Sequence, residues 1–298
     1  MVLAMLLKGK NIIITGAGRG IGQHVAIACA KEGASLGLAA RTLEQLNITK
    51  KMIDDLQIED VKAVVHTADV TNFDELETAF KAFHDELGLF NGVLANAGIT
   101  RRAITHEVTT ERFLKVIMIN VVGVYHTFKA AYPYLNKSNK KDRARFIITG
   151  SQAYRTPLPL FASYSASKYA VVGLQKAMAL EYRLENITFN QICPQFVDTR
   201  ITRGDAAEDG NKPDDYLDPW DLNDYYLFYL SEAGNSVNNE FVFTEDFERV
   251  KKLIRGAPKD KKADWKFFKA YFEEKKAKLY GEVKKNRKFI EFLLNRIS

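Results

Sequence analysis

Tyr164 and Lys168 stand four residues apart in Tyr164-Ser165-Ala166-Ser167-Lys168. The pattern of Ser163–Leu184 predicts a helix, and at that spacing both side chains project from one helix face. A phenol near its ordinary pKa of about 10 is a poor base at neutral pH; a neighbouring ammonium stabilises the phenolate and lowers that value, so the pair makes a general acid/base. Ser151 precedes Tyr164 by 13 residues and follows the candidate strand Arg145–Thr149. Open α/β sheets place ligands at such strand ends, where a hydroxyl can hold a substrate oxygen. A second constellation, Thr15-Gly16-Ala17-Gly18-Arg19-Gly20-Ile21-Gly22, lies between an apolar run and a helical pattern. Its glycines allow a sharp turn and close approach to a ligand, and the free N–H groups of a helix start favour a pyrophosphate. Each feature alone has a plainer reading: a buried tyrosine with a lysine stem beside it, a turn serine, a loop glycine. As a set they weigh toward catalysis on a nucleotide.

The elements that would position these residues follow from alternation. Candidate strands are Asn11–Thr15, Ser35–Ala40, Lys62–Thr67, Gly92–Asn96, Arg145–Thr149, Thr188–Cys193 and Glu240–Thr244, with room for a helix between most of them. Ile21–Lys31, ended by Gly33, and Ser163–Leu184 are the firmest helices, and Glu111–Tyr134 also reads as helical. Continuous apolar strands separated by helices predict an α/β fold, a doubly wound parallel sheet of about seven strands. Arg200–Asp215 turns polar and reads as a loop or lid, followed by an aromatic patch, Tyr216, Trp220, Tyr225, Tyr226, Phe228 and Tyr229. We divide the chain into a catalytic domain, 1–246, with a substrate region at 200–230, and a basic amphipathic helical tail, 247–298.

Together with Ala95-Asn96-Ala97-Gly98, Asn120, Ser151 and the Tyr164/Lys168 run, the glycine turn resembles the short-chain dehydrogenase/reductase family in its single-domain, Rossmann-type form, from about Lys8 to about Phe247. The resemblance implies Asn120, Ser151, Tyr164 and Lys168 as the catalytic set, with Asn120 kinking its helix and holding a water that links the lysine to solvent. It implies a dinucleotide held by Thr15, Gly16, Gly18, Arg19, Gly20, Ile21 and Gly22, by Asn96, Ala97 and Gly98, and by Tyr164 and Lys168. Asp69 and Val70 would meet the adenine, and Pro194, Val197 and Thr199 the nicotinamide. At the end of the second strand Ala40 occupies the position where an acid usually holds the ribose hydroxyls of NAD, and Arg41 offers a cation to a 2′-phosphate, with Arg19 a second. This favours NADP(H) over NAD(H). Three positions depart from the family: Ala95 replaces an asparagine, Gln195 stands where glycine is expected, and Glu245-Asp246-Phe247 replaces a glycine-rich ending.

Composition bounds the remaining classes. With 298 residues, 46% of them hydrophobic, the chain can bury one large core, and its two cysteines, Cys29 and Cys193, argue against a disulfide framework. No apolar run approaches the ~18 residues that cross a bilayer, and Met1–Leu7 is short for a signal core, so we expect a soluble, cytoplasmic protein. Five scattered histidines lack ligand spacing, and no metal site is expected. Residues 247–298 hold 17 Lys and Arg against 7 Asp and Glu; since the whole chain carries +6, the first 246 residues sum to −4. The basic charge belongs to the tail, which weakens a nucleic-acid reading. In the tail Trp265, Phe268, Phe272, Leu279, Val283, Ile290, Leu294 and Ile297 fall at mostly helical intervals. Such a stripe packs on its own domain or a second subunit, while the lysines also suit peripheral association with an anionic membrane. The function expected is an NADP(H)-dependent carbonyl reductase or secondary-alcohol dehydrogenase, homo-oligomeric, acting on an apolar or lipid-like substrate. The rivals are an NAD-linked dehydrogenase of steroid- or sugar-like alcohols and a non-catalytic NADP(H)-binding scaffold acting through its tail.

Overall fold

The computed structural model describes residues 5–138, 140–207, 211–245 and 287–297. Seven parallel strands form one sheet in the order β3-β2-β1-β4-β5-β6-β7: β1 Asn11–Thr15, β2 Ser35–Ala40, β3 Ala63–Thr67, β4 Gly92–Ala95, β5 Ala144–Thr149, β6 Ile187–Cys193 and β7 Glu240–Phe243. Each expected strand is present within a residue of its expected ends. Side chains alternate between faces along a strand, and both faces are covered. Ile12 and Ile14 of β1 enter the core on one side and Ile13 the core on the other, which is why β1 reads as an unbroken apolar run.

On the first face lie α1 (Gly20–Lys31), α2 (Leu43–Asp54), α8 (Asn223–Leu230) and α9 (Arg287–Ile297). On the second lie α3 (Phe73–Leu87), α4 (Thr110–Ile117), α5 (Gly123–Ala131) and α6 (Ala162–Glu181). A short α7 (Arg200–Arg203) follows β6. The strand order reverses between β1 and β4, so the crevice beyond their carboxyl ends is the switch point at which doubly wound sheets bind ligands. Residues 16–22, 96–98, 150–151 and 194–199 all follow strand ends on that edge.

Two expectations change. Thr110–Tyr134 is a continuous helical run long and apolar enough, by length and composition, to cross a bilayer; here it packs against the sheet and α6, burying Val116, Ile119, Val124 and Phe128. The aromatic patch does not stand at a lid. Every residue from Tyr225 to Leu230 is buried beneath α1 and α9, because a helix apolar all round satisfies itself only inside a core. Only Trp220 of that patch is exposed. Of the tail, α9 docks on its own domain, burying Phe289, Ile290, Phe292 and Leu293, with Phe289 stacked on Tyr225 at 4.9 Å. The stripe residues Trp265, Phe268, Phe272, Leu279 and Val283 and the 246/247 boundary lie outside the described residues, as do the side chains of Leu294 and Ile297.

Candidate active site

The glycine turn leaves β1 through Gly16 at φ +68°, a conformation that L side chains rarely adopt. A Cβ on Gly22 would lie 2.3 Å from the Gly16 carbonyl oxygen and 2.6 Å from Asn96 Nδ2, so only glycine lets α1 press this closely on the turn and on β4. The α1 N-cap, Arg19, makes no side-chain cap bond, and the first turn carries no acid, which leaves those amides open to an anion. Gly18 lies against Gln45 of α2, and Ile21 is half-buried. Asn96 ties the turn to β4: its Nδ2 donates to the carbonyls of Thr15 (3.1 Å) and Gly16 (3.2 Å), and its backbone N–H donates to Thr15 Oγ1 (3.2 Å). Ala97 and Gly98 continue this segment, Ala97 against Gly16 and Gly98 beside Asn120. Thr199, N-cap of α7, packs against Gly20. Pro194 accepts from the Gln152 N–H, and Val197 is buried with its carbonyl accepting from Thr202 Oγ1.

At the adenosine end two of the expected residues meet each other. Arg41 pairs with Asp69 (Nη1–Oδ2 3.8 Å), and Asp69 also accepts from the Thr71 N–H and hydroxyl. The cation and the adenine contact that the sequence presents as separate are thus partners across the β2 and β3 ends. The Val70 side chain packs on Gly123 of α5, and its carbonyl contacts His126 Nδ1 at 3.0 Å.

Tyr164 and Lys168 do share one face of α6, with Lys168 Nζ 5.5 Å from the Tyr164 ring centre. Lys168 is buried and donates to the Thr149 carbonyl at 2.8 Å; burial lowers its pKa to about 8. For Tyr164, burial is the largest effect and pushes the phenol above its usual value, while the Ser151 side chain, in hydrogen-bonding contact, pulls it down. In this arrangement the Lys168 ammonium is directed at the Thr149 carbonyl, and the net direction at Tyr164 is upward. Ser151 caps a 3-10 turn, its Oγ accepting from the Ala153 N–H at 3.1 Å. Asn120 sits in a π-helical turn, Met118–Val122, which interrupts the α-helical pattern at the position where a kink is expected. Its Oδ1 accepts from the Ile99 N–H, and its Nδ2 donates to the Ile99 carbonyl (2.9 Å) and to Ser167 Oγ (3.0 Å). Asn120 therefore stitches the loop after β4 to α6.

Among the departures, Ala95 is an apolar core residue, and the Gln195 N–H donates to Thr244 Oγ1. Cys193 is buried with its thiol pushed up to about 12, unsuited to act as a nucleophile. Sequence reasoning missed Thr149, Ser167 and Tyr226. Thr149 accepts Lys168 on its carbonyl, donates from Oγ1 to Asn96 Oδ1 (3.1 Å) and lies 2.8 Å from the Tyr226 hydroxyl. The available signal was a lone hydroxyl ending a strand whose preceding residues, Phe146-Ile147-Ile148, are apolar.

Residues 10–210 match the short chain dehydrogenase family, and the chain belongs to it. It is 30% identical over 214 residues to (-)-trans-carveol dehydrogenase of Rhodococcus erythropolis, covering 67% of this chain and 76% of that protein. An alcohol dehydrogenase of the archaeon Thermococcus sibiricus, solved with 5-hydroxy-NADP, is similar with a TM-score of 0.70 and 28% identity over 78% of this chain and 95% of that one. Carveol dehydrogenase of Mycobacterium avium, solved with NAD, gives a TM-score of 0.73 and 25% identity over 80% and 96%. As a family member the chain is an oxidoreductase with a nicotinamide-binding fold.

Proposed function

We propose that this chain reduces a carbonyl, or oxidises the matching secondary alcohol, with NADP(H) as hydride carrier. One observation carries the reading: a hydrogen-bonded line from Lys168 through Thr149 and Asn96 to Gly16 joins the acid/base pair to the glycine turn. The chain's donor set fits a dinucleotide, since the open amides of α1 suit a pyrophosphate and no acid stands at Ala40. The α1 amides would hold the pyrophosphate, Arg41 a 2′-phosphate, Lys168 the ribose hydroxyls and Thr199 the carboxamide. Bound there, the nicotinamide supplies or accepts a hydride at carbon. The chain's share is positioning and proton transfer. Ser151 holds the substrate oxygen by its hydroxyl, and Tyr164 gives that oxygen its phenolic proton as the carbonyl becomes an alcohol. A phenol raised by burial is the protonated form that reduction requires, and the Ser151 hydroxyl, in hydrogen-bonding contact, stabilises the phenolate left behind.

With α8 buried, support for an apolar substrate comes from the rim instead. Ile104, Leu158 and Leu160 on two loops and Ile201 on α7 are exposed. Arg102 holds those segments together, donating to the Thr202 carbonyl (2.5 Å) and lying over Phe161 (5.0 Å), while the Ala103 N–H donates to Leu160 O. The Arg41–Asp69 pair favours a second reading, an NAD-linked dehydrogenase, because Asp69 already neutralises the cation meant for the 2′-phosphate. Exposed Phe113, Leu114 and Met118 on the Asn120 helix, with Tyr169 and Leu180 on α6, support a homo-oligomer. The test is a panel of apolar ketones and secondary alcohols with each nucleotide, using the full chain and Tyr164→Phe. The expected result is turnover with NADPH that Tyr164→Phe loses by about 10²–10⁴-fold while nucleotide binding persists. Tight nucleotide binding without turnover in the wild type would leave a scaffold.

A further inference from the structure

We infer that Tyr226, on the core helix α8, is a positioning residue for the nucleotide, acting through Thr149; this rests on the reading of the site given above. Its ring needs no explanation, since Phe228 on the same helix is equally buried. Its hydroxyl does, because buried polar groups are retained where they have a partner to serve. That hydroxyl lies 2.8 Å from Thr149 Oγ1. Thr149 has one hydroxyl proton and gives it to Asn96 Oδ1 (3.1 Å), so Tyr226 is the donor in its own bond. The direction matters. With its lone pair occupied from behind, the Thr149 hydroxyl is committed to Asn96, which fixes the amide with Nδ2 toward the Thr15 and Gly16 carbonyls. The carbonyl of the same threonine receives Lys168 Nζ. One residue thus carries both walls of the crevice, the glycine turn and the ammonium, and Tyr226 anchors it from the core. Burial raises the Tyr226 pKa far above its ordinary value, so it remains a donor across the working pH range.

The test is Tyr226→Phe in the full chain, titrated with NADPH by nucleotide fluorescence well below the thermal midpoint, with the midpoint recorded. Loss of one such bond predicts a Kd raised about three- to tenfold, a raised nucleotide KM, and kcat at saturation within about twofold. Thr149→Val should weaken binding at least as much, and the double variant no further, since both act along one line. Tyr229→Phe, on the same helix but off that line, should leave Kd unchanged. An unchanged Kd in Tyr226→Phe, whether or not the midpoint falls, overturns the inference and leaves the hydroxyl a packing feature. Wild-type chain that binds neither NADPH nor NADH overturns the site reading itself.

Discussion

Gly22→Ala is the sharpest test of how the glycine turn is built. The added Cβ would sit 2.3 Å from the Gly16 carbonyl oxygen and 2.6 Å from Asn96 Nδ2, about 1 Å inside ordinary contact with both. Neither neighbour is a flexible side-chain end: one is backbone held at φ +68°, the other an amide bonded to two carbonyls. The α1 helix must therefore move away from β1 and β4, or Asn96 must surrender its bonds to Thr15 and Gly16. Overpacking costs about 1–3 kcal/mol, and each lost hydrogen bond about 0.5–1.5 kcal/mol. We expect a destabilisation of about 2–5 kcal/mol, which for a chain of this size lowers the thermal midpoint by roughly 5–15 °C. The same shift displaces the amides at the start of α1, so NADPH affinity should fall by more than tenfold. Circular-dichroism melting and nucleotide fluorescence measure the two effects. A variant that melts within about 2 °C of wild type and binds NADPH equally well would show that α1 does not bear on the turn as described.

Three further outcomes follow from the same geometry. Burial sets Lys168 at about 8 in the folded chain against 10.5 when free. Between those values the unfolded chain holds the proton and the folded one has lost it, so this group adds stability as pH rises through that window while the site loses its ammonium. NADPH affinity should fall as pH passes about 8, and Lys168→Met should bind weakly with no such step; a wild-type profile flat from about pH 6.5 to 9.5 would contradict this. Asp69→Asn frees Arg41 from an exposed pair worth about 0–1 kcal/mol, so NADPH should bind up to about fivefold tighter with NADH unaffected. Arg41→Ala should collapse the ratio of NADPH to NADH affinity, and an unaltered ratio would end the NADP(H) reading. Phe289→Ala, removing a buried ring stacked on Tyr225 and edge-on to Phe228, should cost about 3–5 kcal/mol in denaturant unfolding. A loss below about 1 kcal/mol would mean that α9 docks without supporting the core.

The parallel sheet was legible because its strands are short apolar runs buried on both faces and broken by helical patterns; Asn11–Thr15 and Ser35–Ala40 were located to the residue. The site was legible where its chemistry lies in local spacing, as with Tyr164 and Lys168 one helical turn apart. Where the outcome depends on distant partners, the sequence is silent. Arg41 and Asp69 are 28 residues apart, and Thr149 and Tyr226 are 77 apart. Nothing in periodicity joins them until adjacent strands and a covering helix bring them together. The aromatic run of α8 misled because tyrosines suit a substrate wall and a core equally well, and only burial decides between them. The rise in the Tyr164 pKa was illegible for the same reason, since desolvation is a property of packing.

Thr149 shows why packing and chemistry cannot be separated in this fold. β5 lies beside β4, which borders the switch point, so the last residue of β5 faces the turn after β1 through Asn96 on one side and α6 on the other. An apolar residue there would satisfy the strand but would leave Asn96 Oδ1 without its donor. A hydroxyl there also offers a lone pair to a donor from the first-face helix layer, and α8 is the element that covers β5 on that side. The tyrosine hydroxyl is thus matched to the threonine, and the threonine to the asparagine that holds the glycine turn. On this argument Thr149→Val and Tyr226→Phe should be costly singly and nearly free of further cost together, whereas replacements at Phe228, off the line, should change stability without changing nucleotide affinity.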